Sequence, residues 1–309
     1  MEFYQRLIEI MTCDAGNRGL HAPAPDLEAV ADALLSAEDV LVLTGFPVIG
    51  SDGNPHGETD GPAGGAEIAC TLALLGSRVW LATDETAYPV LKAAAEVYGS
   101  DTGINVYGCQ GEPLVLNDRP RGCIELVRIP LEGTVAFAEE FFSGHHITHL
   151  LAIERPGKGA CGHFCSMRGS YLDQYVADTD CFLSLFKGCS IAVGDGGNEL
   201  GMGKYRDEIV RSVPCGGSIA ARLSADHVLT AGVSNWWGPG LAALLSHKTG
   251  KNLLTGPDTE IRALRAVLNA GGLDGCSGRE EMTVDALPLD FHLERRKLVQ
   301  DLLAETVSG

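Results

Sequence analysis

Basic residues are scarce in this chain: 23 lysines and arginines stand against 41 aspartates and glutamates over 309 residues, a formal net charge of −18. Such a surface repels phosphate backbones and anionic lipid, so no nucleic-acid or membrane partner is expected. No uninterrupted apolar run reaches membrane-spanning length, and no basic stretch leads into an apolar one at Met1-Glu2-Phe3. The ten cysteines are scattered. In Cys161-Gly162-His163-Phe164-Cys165 the paired CxxC spacing of a structural zinc site is missing, and free thiols are expected instead. Together these absences point to a reducing cytoplasm. Internal repeats, low-complexity tracts, a GxSxG elbow and a zincin helix motif are also missing.

Nucleotide loops fail letter by letter. The dinucleotide fingerprint needs glycine where Glu199 stands, and a GxxxxGK[ST] loop needs glycine at Asn198 and a hydroxyl residue at Tyr205. No nucleotide cofactor is expected.

Glycine is abundant, with 39 residues, nearly twice the usual share. The densest stretch is Val193-Gly194-Asp195-Gly196-Gly197-Asn198-Glu199-Leu200-Gly201-Met202-Gly203, directly after the apolar run Cys189 to Val193. Glycine permits positive φ and close backbone approach, so this is a tight turn after a buried strand, aimed at something bound. Carboxylates in a concave loop repel phosphate unless a cation intervenes. The expected ligand is a divalent metal, Mn or Mg, or a cationic substrate group.

Short apolar runs at Val40–Leu43, Val79–Leu81, His149–Ile153, Ser190–Val193 and His227–Thr230 have the composition of buried parallel strands. Helical patterns alternate with them at Asp26–Ala37, Gly65–Leu75, Tyr88–Tyr98, Val135–Phe142, Trp236–Ser246 and Asp258–Asn269. This alternation predicts an α/β fold: one domain over residues 1–309, with an open, mostly parallel sheet and helices on both faces. Residues 104–130 break the pattern and suggest a hairpin or small inserted cap, and Gly271 to Leu289 suggests a long surface loop before a last helix from Phe291 to Leu303.

Ligands of open α/β sheets bind at the carboxyl ends of strands. Polar and glycine-rich segments recur there: Gly57 to Gly65, Thr83-Asp84-Glu85, Glu154 to Gly159, the Asp195 loop and Gly232 to Trp237. Asp60 is either a helix cap before Pro62 or a ligand; Asp84 suits a helix cap. Glu154 ends a buried strand and must be paired, coordinated or functional. Asn235 suits either a cap or a substrate contact, and Trp236 and Trp237 suit the core.

Taken together, Glu58-Thr59-Asp60-Gly61-Pro62-Ala63-Gly64, Glu154-Arg155-Pro156-Gly157, Gly194 to Gly203 and Ala225 to Trp236 resemble the D-glutamate cyclase C-terminal domain family over most of the chain. The resemblance implies an α/β domain and conversion of D-glutamate to 5-oxo-D-proline with loss of water. In animal proteins of the family this domain follows an N-terminal domain resembling hydro-lyases; no part of these 309 residues resembles it.

Such a cyclisation needs a base, for which Glu199 and Glu154 are the candidates. Glu58, Asp60 and Asp195 are candidate ligands of a divalent cation. Arg155 or Lys158 would hold the α-carboxylate, and Gly61, Gly196, Gly197, Asn198 and Asn235 would line the substrate. Two alternatives stay open: a Mn- or Mg-dependent phosphatase acting on a small phosphate ester, and a non-catalytic protein binding an amino acid or metal. The partner in every case is a small molecule, and a homo-oligomer is compatible with the sequence.

Overall fold

The computed structural model describes residues 2–20, 22–108 and 121–307. Two helices, α1 (Glu2–Met11) and α2 (Leu27–Leu35), precede the first strand, β1 (Asp39–Thr44). A small antiparallel ribbon of β2 (Pro47–Ile49) and β3 (Pro55–Gly57) follows, then α3 (Pro62–Leu74), β4 (Arg78–Asp84), α4 (Tyr88–Thr102), β5 (Asn105–Gly108) and β6 (Cys123–Ile129). The middle of the chain forms α5 (Thr134–Gly144), β7 (His149–Ile153), α6 (Asp180–Leu185) and β8 (Cys189–Gly194). It continues with α7 (Arg206–Ser212), α8 (Gly216–Ile219), β9 (His227–Thr230), α9 (Trp237–Thr249) and α10 (Pro257–Asn269). A two-stranded ribbon of β10 (Thr283–Val284) and β11 (Leu287–Pro288) leads into α11 (Leu289–Val307).

Seven of these strands form one sheet in the order β5-β6-β4-β1-β7-β8-β9, with every neighbouring pair parallel. Both faces are buried, which is why the strands are nearly continuous apolar runs. Val40, Val42, Leu151 and Ile153 face the larger core beneath α3, α4 and α9, whereas Leu41, Leu43, Leu150 and Ala152 face a smaller one with Phe141 and Phe182 of α5 and α6. The α/β class and the helices on both faces are therefore as expected.

From β1 the chain winds outward through β4 to β5 and β6, then returns to lay β7 on the other side of β1. The strand order thus reverses between β1 and β7. A crevice must open at that switch point, at the carboxyl ends of the strands.

Residues 104–130 differ from the reading as a hairpin. The extended runs at either end are β5 and β6, which pair parallel to each other at the edge of the main sheet, whereas a hairpin pairs antiparallel. The connecting residues 109–120 lie outside the described residues. Asp84 is not a helix cap either: α4 starts after Ala87 with no side-chain cap, and Asp84 is buried against Arg155 at 2.7 Å.

Candidate active site

The loop from β3 into α3 carries Glu58, Thr59 and Asp60 to the switch point. Gly61, at φ +94, makes the entry possible, because a Cβ there would sit 2.8 Å from that of Glu154 and 2.9 Å from Thr44 Oγ1. Gly61 caps α3 but has no side chain to bond the free N–H groups of its first turn. Asn235 supplies the missing acceptor from across the crevice: its Oδ1 accepts from Gly61 N at 2.9 Å and Gly64 N at 2.7 Å, while its Nδ2 donates to Thr59 O at 2.9 Å. Asp60 in turn accepts from the N–H groups of Gly61 at 3.0 Å, Ser234 at 3.0 Å and Asn235 at 2.8 Å.

Asp60, Glu154 and Asp195, from the ends of three segments, converge so that one carboxylate oxygen of each lies within 4.8 Å of the others. All are buried, at 2%, 5% and 1% exposure. Glu154 adopts φ +42, a left-handed conformation that is costly for a non-glycine residue and is most often kept at functional sites. Its carboxylate accepts the Ser234 hydroxyl at 2.6 Å. Ser234 N also approaches Asp195 Oδ2 at 3.3 Å, so the turn after β9 ties the triplet together.

Two further buried acids, Glu58 and Asp285, lie beside the triplet, and Arg18 forms ion pairs with both Asp195 and Asp285. Among the described residues Arg18 is the only cation paired with any of these five carboxylates. Burial and the neighbouring acids hold the Glu58, Glu154 and Asp195 carboxyls well above the usual carboxylate range, and Asp60 is pushed up to about 7. Glu58 Oε1 and Asp285 Oδ2 are buried with no hydrogen-bond partner among the described residues. The site therefore holds more acid than its internal donors satisfy, which suits protons or a cation.

A cavity of about 690 Å³ opens above these groups. Glu58, Glu154, Asp285 and Arg18 line it, and the exposed Arg168 and Arg279 stand around it. Asp60 and Asp195 are not part of its lining, and Asp195 is joined to the lining through its ion pair with Arg18.

Other expected site residues have different tasks. Glu199 lies inside its own loop, where its carboxylate accepts from the N–H groups of Asp195 at 3.1 Å and of Gly196 and Gly197 at 2.6 Å. Gly196 and Gly197 thus serve the turn, and Asn198 lines the cavity while its Nδ2 donates to Cys165 O at 2.8 Å. Arg155 is fully buried; it pairs with Asp84 and donates to Thr179, Gly45 and Ala177, leaving no fork for a substrate. Lys158 points elsewhere, pairing with Asp178 in a shallow surface depression with Asp180 and Arg222. Glu58 borders the carboxylate triplet, in which Glu154 takes the place expected for it.

Residues 7–302 match the family described as D-glutamate cyclase-like, C-terminal. The chain belongs to this family. It is 30% identical to human "D-glutamate cyclase, mitochondrial" over an alignment covering 98% of the chain and 52% of that relative, so it spans about half the length of the curated protein it matches. Among the described residues no helix is long and apolar enough to cross a membrane.

Within this cyclase-like domain, Arg18 and Asp285 are the site residues that strand-end reasoning missed. Neither follows a strand of the main sheet. Asp285 and Ala286 form the turn between β10 and β11 with φ +55 and +60, where glycine or asparagine is the usual choice. Asp274, fully buried, accepts from the N–H groups of Cys276, Ser277 and Ala286 and holds that turn over the cavity. Residues 271–289 are therefore a cavity wall and not a plain surface loop. A non-glycine pair in a turn was the one local signal available.

Proposed function

We propose that the cleft closes D-glutamate on itself to give 5-oxo-D-proline and water, in keeping with the family and with the activity in the human relative's name. The observation carrying this reading is the polarity of the cavity: buried acids at its base and exposed arginines around it. A zwitterionic amino acid with a second carboxylate matches that gradient. Its ammonium is drawn to the acids and its α-carboxylate to Arg168 or Arg279, whereas a phosphate ester would meet the acids with like charge.

In the reaction, the α-nitrogen bonds to the γ-carbon, a C–O bond breaks, and two protons shed by the ammonium leave with that oxygen as water. The crowded carboxyls favour both halves. Glu154, held toward its protonated form by burial and by its acidic neighbours, donates its proton to the γ-carboxylate; as carboxylate it then takes a proton from the attacking nitrogen and passes it to the departing hydroxyl, which leaves as water. A deprotonated neighbour accepts from the ammonium. Holding nitrogen and carbon in contact contributes about 7–11 kcal/mol of barrier reduction in such ring closures, so acid–base catalysis of ordinary strength suffices.

A divalent cation of the Mg or Mn type also fits the residues. Asp60, Glu154 and Asp195 are hard oxygen donors in one cluster, and the orphaned oxygens of Glu58 and Asp285 lie beside it. These three would hold it, and when bound it would offset carboxylate charge and polarise the substrate C–O bond.

The test incubates purified protein, stripped with chelator and then given Mn²⁺, Mg²⁺ or neither, with D-glutamate, L-glutamate and a panel of small phosphate esters. 5-Oxo-D-proline formed from D-glutamate alone is the expected result. Phosphate release, or saturable glutamate binding without product, would overturn it.

A further inference from the structure

Cys161 and Cys165 take no part in the chemistry above, yet their Sγ atoms lie 3.6 Å apart and both face the His163 carbonyl, at 3.9 and 3.7 Å. Cys161 is exposed and Cys165 is 1% exposed. We infer that Cys161 and Cys165 form a reversible dithiol–disulfide site whose oxidation state is passed to the wall of the cleft.

The oxidant is a hydroperoxide. With hydrogen peroxide, exposed Cys161, as thiolate, takes one peroxide oxygen: the O–O bond breaks, a sulfenic acid forms, and the other oxygen leaves as hydroxide, which takes up the proton the Cys161 thiol had released and becomes water. The Cys165 sulfur then attacks that of Cys161, the S–S bond forms, the S–O bond breaks, and hydroxide departs with the Cys165 proton as a second water. Two thiols lose two electrons and the peroxide gains them. Burial pushes the Cys165 thiol up to about 12, which suits a resolving and not a leading sulfur.

A bond of about 2.05 Å requires the two sulfurs to close a gap of roughly 1.5 Å. On the Cys161 side, Gly162 has φ +84 and open space around it, so the turn has room to move. Cys165 is tied to the cleft: its backbone pairs with Tyr171, its carbonyl holds the Asn198 amide between Asp195 and Glu199, and Ser166, Met167 and Arg168 directly after it line the cavity. A soft metal is a poorer occupant. The His163 ring is stacked on Tyr171 and bonded to Asp173 at 3.1 Å, and among the described residues the only metal-type cluster is the acidic triplet.

The experiment titrates the reduced full chain with hydrogen peroxide, alkylates the remaining thiols and maps the peptides. Expected are a Cys161–Cys165 bridge, the loss of two alkylatable thiols, full recovery with a dithiol reductant, and altered amide exchange in residues 166–172 and 195–199. Cys161→Ser abolishes all of these, and Cys165→Ser stops at a sulfenic acid on Cys161 that a dimedone probe captures. Both thiols remaining alkylatable, bridging to other cysteines, or a bridge that leaves exchange in those two segments unchanged would overturn the inference. None of these readouts depends on turnover of glutamate.

Discussion

Glu154 and Glu199 are both buried acids in glycine-flanked turns at strand ends, yet their surroundings assign them opposite work. The Glu199 carboxylate is satisfied by three N–H donors of its own loop, whereas Glu154 lines the cavity among other acids on a left-handed backbone. Glu199→Gln replaces one acceptor oxygen by an amide that faces N–H groups, and should cost about 2–3 kcal/mol of stability in urea unfolding. Glu154→Gln keeps an acceptor for Ser234 and removes a crowded acid. It should leave the melting temperature level or raised while lowering cyclisation at least ~100-fold. Equal destabilisation in the two variants, with turnover retained in Glu154→Gln, would make Glu154 scaffold as well. The sequence showed that acids gather here, since Glu154 directly follows one apolar run and Glu199 stands in the glycine-rich loop that follows another. It did not show which are spent on the backbone, because Glu199 and its donors lie within four residues of one another and leave the same letters whichever way the carboxylate turns.

The buried strands β1, β4, β7, β8 and β9 were legible because both their faces are covered and polarity stops only at their ends. The edge strand β5 and its neighbour β6 were not, because β5 is only partly buried and the chain between them departs from the strand–helix alternation. Contacts between distant elements were also hidden: Asn235, on the turn before α9, caps α3 across 174 residues of chain. Asn235→Ala should therefore destabilise by about 2–3 kcal/mol, with faster amide exchange at Gly61 and Gly64 as the local signature. A loss below ~0.5 kcal/mol would mean that α3 finds another acceptor. The start of α6 gives a pH-dependent test. Burial, with Asp178 adding to it, raises Asp180 to about 6, while Lys158 N donates to it at 3.1 Å. A carboxyl raised above its unfolded value of about 3.9 favours the fold below that pH and loses this advantage as pH climbs to about 6, on the order of 2–3 kcal/mol in all. Asp180→Asn should flatten that part of the stability–pH curve and be more stable than the parent at pH 7. An unchanged slope in the variant would show that Asp180 ionises normally.

At the scale of the whole molecule, a net charge of −18 means that any cation stabilises the protein somewhat by screening, so a metal at the triplet must be separated from that background. Five buried carboxylates share one paired guanidinium among the described residues, and a bound divalent cation would relieve their mutual repulsion in the folded chain alone. Ligand linkage then predicts a gain of about 2.7 kcal/mol at a hundredfold excess over the dissociation constant, a rise of several degrees in melting temperature for a chain of this size. Chelator-treated protein titrated with Mn²⁺ should show a saturating rise, and NaCl at matched ionic strength a smaller, non-saturating one. Asp60→Asn should remove the saturating part and leave the screening part, since it no longer offers a charged oxygen to the cluster; its single amide oxygen can replace the acceptor of Gly61 and Asn235 or that of Ser234 but not both, so the variant starts from a lower melting temperature and the comparison is the change on adding Mn²⁺. If the Mn²⁺ response is matched by NaCl, protons and Arg18 alone neutralise the cluster and the proposed cyclisation would run through its crowded carboxyls without a cation; a saturating response that survives the substitution would place the ion away from Asp60.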